Sequence, residues 1–202
     1  DWLAEWKKHF HEFCLVGDVW VVPSWKTAPA DVRVISIDPG MAFGTGTHET
    51  TRLAAGFIWD LREILPGHSV LDVGTGSGIL AILAEILGAE SCMGLDIDPE
   101  ARRVARENLQ LNHTKRVKID DSIFEGWVKP YDIVIANIID GVLVDLQKDL
   151  LPVVKPGGYL ILSGIIAERD VDFLERFHLP KDFRVQDQRS EGEWVSYLIR
   201  KN

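Results

Sequence analysis

The sequence predicts an α/β fold, a doubly wound Rossmann-like sheet of seven strands with one antiparallel strand. Three observations lead there. From Ser69 onward, short runs of Val, Ile and Leu alternate with segments of helical period. A glycine-rich turn follows the first of these buried strands. The last two strands are spaced as a hairpin, which puts a reversed strand at one side of an otherwise parallel sheet.

The elements follow in order. Trp2, Leu3, Trp6, Phe10 and Phe13 recur at helical spacing over residues 1–13. Residues 18–25 and 32–38 read as Val- and Ile-rich strands, separated by the turn formers Pro23 and Pro29. A glycine-rich loop covers 39–47. Leu53, Phe57, Ile58 and Leu61 predict a helix over 48–64, ending before Pro66-Gly67. Val70-Leu71-Asp72-Val73 is a buried strand, and an apolar helix over 79–87 stops at Gly88. A strand at 92–97 leads to a helix at 99–111, with Pro99 in its first turn, where a missing N–H costs nothing. Strands at 117–119 and 133–136 precede a helix at 142–151. Pro156-Gly157-Gly158 turns into a strand at 159–163, and a helix covers 168–177. Strands at 183–188 and 194–200 are joined by Glu191-Gly192-Glu193. Ligands of such sheets bind beyond the carboxyl ends of the strands, where the strand order reverses.

The chain of 202 residues suffices for one full α/β domain, and 46% apolar with 26% charged residues excludes a disordered chain. A net charge of −9 argues against a phosphate-tracking surface, so no direct nucleic-acid binding is expected, while a basic protein partner suits it. Cys14 and Cys92 form no CxxC pair, so neither a metal site nor a dithiol is indicated. No apolar run reaches a membrane span, no signal pattern opens the chain, and no disulfide framework is indicated, so a cytoplasmic protein is expected, as is a monomer.

Chemistry concentrates in Val70-Leu71-Asp72-Val73-Gly74-Thr75-Gly76-Ser77-Gly78. Gly74, Gly76 and Gly78 allow a sharp bend and a close approach to a ligand. The spacing is GxGxG rather than the GxGxxG of a pyrophosphate turn. Asp72 disfavours a pyrophosphate too, and its carboxylate can pair with a cationic amino group. Asp96, at the end of the next strand, is placed to accept from both hydroxyls of a ribose. Asp98 reads as the N-cap of the helix opened by Pro99. After the third strand, Asp120 or Asp121 can reach an adenine amine. Register decides between them, and Asp121 is favoured.

These residues resemble the class I S-adenosylmethionine methyltransferases from about Ser69 to the C-terminus. A narrower resemblance rests on Asp38-Pro39-Gly40-Met41-Ala42-Phe43-Gly44-Thr45-Gly46-Thr47-His48-Glu49-Thr50-Thr51 and on Ala136-Asn137-Ile138-Ile139. It is to the bacterial methyltransferases that modify the eleventh protein of the large ribosomal subunit. The resemblance implies S-adenosyl-L-methionine as cofactor and contacts to it from Thr51, Gly74, Asp96 and Asn137. It further implies a loop of Phe43, Gly44 and Thr45 closing over the methionine end. His48 reads as helix-start structure. Residues 1–38 are then a linker helix with short strands, and 39–202 the catalytic domain. The family's separate N-terminal recognition domain has no room in this chain; since Asp1 begins in mid-pattern, a chain cut just before the linker is expected rather than a short relative with another substrate.

The expected activity is protein N-methylation, on lysine side chains or the N-terminal amine of that ribosomal protein. Asn137 is the candidate catalytic residue, since its carboxamide can orient an amine. Ile138-Ile139 follow it where amide and adenine methyltransferases resemble one another in carrying Pro-Pro-Tyr or Pro-Pro-Phe. The alternatives are another protein or small-molecule amine, a nicotinamide-dependent oxidoreductase, and a module that binds the cofactor without catalysis.

Overall fold

The computed structural model describes residues 11–37, 46–120 and 129–202. The aromatic stripe of residues 1–10 lies outside the described residues. Phe13, expected to close that stripe, instead opens a strand. It begins β1 (Phe13–Val16), which pairs antiparallel with β2 (Val19–Val22), and β2 pairs parallel with β3 (Arg33–Ser36). A helical period and a short strand share too few residues here for spacing to separate them.

The main sheet contains β4 (Ser69–Val73), β5 (Ser91–Leu95), β6 (Val117–Asp120), β7 (Tyr131–Asn137), β8 (Val154–Ile166), β9 (Phe183–Glu191) and β10 (Trp194–Lys201). Their order is β6-β5-β4-β7-β8-β10-β9. β10 runs antiparallel to both β8 and β9, and the other pairings are parallel. The order reverses between β4 and β7. All five residues of β4 are buried, as a central parallel strand covered on both faces requires.

The pleat sends alternate side chains to two cores. Val70, Ile133, Ile135 and Ile161 face α1 (Glu49–Asp60) and α2 (Ile79–Ile86). Leu71, Val73, Val134, Ala136, Leu160 and Leu162 share the other core with Leu143 and Leu150 of α4 (Asp140–Leu150) and Phe173 of α5 (Asp170–Arg176). Between α2 and α4 in chain order, α3 (Pro99–Leu111) joins β5 to β6. Each fully buried Leu or Ile contributes roughly 1.5–3 kcal/mol. Residues Ile79 to Ala84 of α2 are all buried, because Leu15, Val19, Val21, Ile35 and Ile37 of the small-sheet region belong to the same core. A helix apolar on every side needs such a second cover.

Two boundaries differ from expectation. α1 ends at Asp60, and Leu61 to Leu65 close as turns through Ile64 N–H to Leu61 O and Leu65 N–H to Leu61 O. Pro66 disfavours helical backbone just before it. β8 begins at Val154, so Pro156-Gly157-Gly158 lies within the strand; a register shift against β7 between Tyr131 and Ile133 accommodates the irregular segment. No helix among the described residues is long and apolar enough to cross a membrane.

Candidate active site at the switch point

The register of the parallel strands builds the site. Val73 lies beside Leu95 of β5 and Ala136 of β7. The next residues along the three strands are Gly74, Asp96 and Asn137. Three segments distant in sequence therefore meet at one level of the sheet's carboxyl edge.

The bend after β4 is held from several sides. Gly74, Gly76 and Gly78 all have positive φ, at 70°, 53° and 82°. The N–H groups of Gly74 and Thr75 both donate to Leu95 O at 2.8 Å. Asn108 of α3 donates through Nδ2 to Ser77 O at 2.8 Å, fastening the bend from behind. Gly74 and Gly76 are half-buried at the crevice, whereas Gly78 is buried. Gly78 starts α2 in the left-handed region, and a Cβ there would lie 3.4 Å from Ala105 Cβ. Its backbone thus serves the packing of α2 on α3.

Asp72 is turned into the bend. It is 1% exposed and accepts from Thr75 Oγ1 at 2.6 Å. Burial pushes its carboxyl up to about 6; the Thr75 hydroxyl and the Ala81 N–H act in the opposite direction, and neighbouring Asp96 adds repulsion. Asp96 is half-buried, with Oδ2 accepting from Gly76 N–H at 2.9 Å and Oδ1 from Asp98 N–H at 3.0 Å. Each oxygen keeps acceptor capacity, so the carboxylate is fixed and still able to take two hydroxyls. Asp98 caps α3 through Glu100 N–H at 2.9 Å. Ile97, between the two acids, is 73% exposed and offers an apolar face beside Asp96.

Across the reversal, Asn137 is half-buried and donates through Nδ2 to Thr51 Oγ1 of α1 at 3.4 Å. Thr51 is 1% exposed. His48 caps α1, its ring accepting from Thr50 N–H at 3.3 Å and meeting Trp194 edge-on at 5.1 Å. Asp120 ends β6, and its carbonyl accepts from Asp96 N–H at 3.5 Å. Phe43, Gly44, Thr45 and Asp121 lie outside the described residues.

Sequence reasoning passed over Gly164 and named Ile138 only as the residue that follows Asn137. Gly164 has φ 91°, and a Cβ there would come within 2.4 Å of Ile138 O. A Cβ on Gly74 would come within 2.8 Å of Ile138 Cγ1. The two glycines make room for the segment that follows Asn137. A lone Gly in a strand marks such an approach, and Gly164 carried that signal.

The described residues fit an adenosyl group joined to an amino acid. A fixed carboxylate suits a ribose diol, Ile97 suits a flat base, and a narrow bend with a buried acid suits a cationic tail better than a pyrophosphate. Among the described residues no His, Cys, Asp and Glu group could hold a metal ion.

Comparison with known proteins agrees with this geometry. The family model described as "Ribosomal protein L11 methyltransferase (PrmA)" matches residues 1–202. The ribosomal protein L11 methyltransferases of Carboxydothermus hydrogenoformans and Caldicellulosiruptor saccharolyticus are 41% and 46% identical over 99% and 100% of this chain. The chain spans 66% of the length of each. A solved structure of ribosomal protein L11 methylase from Lactobacillus delbrueckii subsp. bulgaricus is 33% identical, with a TM-score of 0.85, over 96% of this chain and 100% of that one.

Proposed function

The chain belongs to the ribosomal protein L11 methyltransferase family, and from that membership and the switch-point geometry we propose that it binds S-adenosyl-L-methionine and methylates amines of ribosomal protein L11. The observation that carries the reading is the meeting of Gly74, Asp96 and Asn137 at one level of the sheet edge. It brings a carboxylate and a carboxamide to opposite sides of one glycine bend, which supports a ribose-binding role for the first and an amine-orienting role for the second.

When bound, the cofactor supplies a methyl group on an activated sulfonium leaving group. The chain's own residues bind and orient. Asp96 takes the ribose hydroxyls, Ile97 covers one face of the base, and Gly74 and Gly76 leave space for the amino-acid end. Asn137 offers Oδ1 to an amine N–H, because Nδ2 is engaged by Thr51. That contact turns the nitrogen lone pair toward the methyl carbon, the main task when the electrophile arrives already activated.

A carboxamide is not an effective base at neutral pH, so Asn137 holds the amine without taking its proton. A lysine ammonium has a pKa near 10.4 and an α-amino group near 8. Exclusion of water lowers both and favours the neutral nucleophile. The proton then leaves to water.

The test has two parts. Titration calorimetry with S-adenosylhomocysteine is expected to give saturable binding, with a rise in melting temperature that NAD does not produce. Incubation with ribosomal protein L11 and the methyl donor is expected to add mass in one-methyl steps at amine positions. Absence of binding on well-folded protein refutes the cofactor assignment; binding without any mass change on L11 refutes the substrate.

A further inference from the structure

Behind Asn137 a line of hydroxyls crosses an otherwise apolar core. Ser163 of β8 and Ser196 of β10 are both 0% exposed. Ser196 Oγ donates to Ser163 Oγ, and Ser163 Oγ donates to the Thr50 carbonyl at 2.8 Å. Ser163 is also the partner of Asn137 in the β7–β8 register, and its carbonyl accepts from Ile138 N–H at 3.0 Å. Thr50 is followed by Thr51, whose Oγ1 receives Asn137 Nδ2. The buried serines therefore reach the reacting edge by two routes, through the strand ladder and through the first turn of α1.

Aliphatic side chains would fill these two positions without needing partners, whereas buried hydroxyls are costly unless bonded. Here their bonds tie a helix terminus to the sheet. The carboxamide they support has two orientations that differ in chemistry. With Nδ2 on Thr51, Oδ1 accepts from the amine and leaves its lone pair free. Rotated by half a turn, the NH₂ would donate into that lone pair, the electrons that must reach the methyl carbon.

We infer that Ser163 and Ser196 are positioning residues that hold the first turn of α1 so that Thr51 fixes Asn137 with its oxygen toward the substrate amine. The inference rests on the amine-orienting role proposed for Asn137. Neither serine touches cofactor or substrate. Both act through Thr50 and Thr51.

The experiment uses the double variant Ser163→Ala/Ser196→Ala, which removes donor and acceptor together and leaves no orphaned hydroxyl. Melting temperature checks its fold. In ¹⁵N-labelled protein without any ligand, the Asn137 side-chain amide pair is identified by its loss in Asn137→Ala. That pair is expected to shift in the double variant. Turnover on L11 is expected to fall on the order of tenfold with S-adenosylhomocysteine affinity retained, as for a small misplacement of a reacting group. In an Asn137→Ala background the serine changes are expected to cost nothing further.

An unmoved Asn137 amide signal overturns the inference, and so does an equal loss of turnover in both backgrounds. If the double variant does not fold, Ser196→Ala alone, which removes only the donor to Ser163, is read the same way: a shifted Asn137 amide supports the inference and an unmoved one overturns it. If the wild-type chain methylates no amine, the proposed function falls, while the ligand-free amide signal still decides whether the serines set the carboxamide.

Discussion

Asp72 and Asp96 stand on adjacent strands at the same edge of the sheet, yet their surroundings give them different work. Asp72 is sealed inside the bend against the Thr75 hydroxyl, with its carboxyl raised to about 6 by burial. Asp96 is half-buried, clamped by two backbone amides, and open toward the crevice. The difference arises in the backbone. β4 turns inward through the glycine bend just after Asp72, whereas β5 runs one residue past its last paired position before it presents Asp96. One carboxylate is enclosed within the bend; the other stays half-exposed at the carboxyl edge of the sheet.

The sharpest way to break this contrast is pH. A raised native pKa means the folded state holds a proton that the unfolded state releases, so the stability contribution is full below about 3.8 and is lost as pH rises through about 6. At about 1.4 kcal/mol per tenfold change in proton affinity, wild type should lose on the order of 3 kcal/mol relative to Asp72→Asn between pH 3.5 and 7. Urea unfolding of both proteins across that range measures it; parallel curves would show that Asp72 titrates normally.

Next in size is the ligand. Asp96→Ala is expected to weaken S-adenosylhomocysteine by about 1.5–3 kcal/mol, the range for hydrogen bonds to a charged group, with fold intact by circular dichroism. Calorimetry showing unchanged affinity would remove Asp96 from the site. Asn137→Ala should lower turnover on L11 while affinity for S-adenosylhomocysteine changes little, a split seen by running both assays on one preparation. The smallest effect belongs to the neighbouring acid. Asp98→Ala removes the cap of α3 and should cost about 1 kcal/mol of stability without weakening the ligand. A loss of affinity there to match that of Asp96→Ala would mean that the two acids share the crevice.

Much of this architecture was legible in the residue order. Alternation of apolar runs with helical periods located β4 through β10 and the helices between them, and Pro99 with Asp98 marked the start of α3 to the residue. Asp98 as a cap and His48 as helix-start structure both stand in the geometry. Less was legible where a side chain's meaning depends on what folds against it. The strand and motif of Asp72 were visible in the sequence, while its enclosure by Thr75 and Ala81 was not, and with it the rise in its proton affinity. The left-handed backbone of Gly78 and its closeness to Ala105 of α3 likewise became visible only in the packed structure. Strand β1 was hidden because four residues carry too little periodicity to compete with the aromatic stripe before them. Ser163 and Ser196 gave no motif at all.

Local chemistry is written in neighbours along the chain: period, caps, turn formers and the glycine bend depend on residues a few positions apart, so the order of residues was sufficient to establish the α/β class and the place of its crevice. Exposure, proton affinity and the facing of a carboxamide depend on groups tens of residues away. Ser163 reaches Thr50 and Asn137 reaches Thr51 only after β7, β8 and α1 have packed. Those properties belong to the folded arrangement, because burial and hydrogen-bond geometry exist only once distant segments share one core.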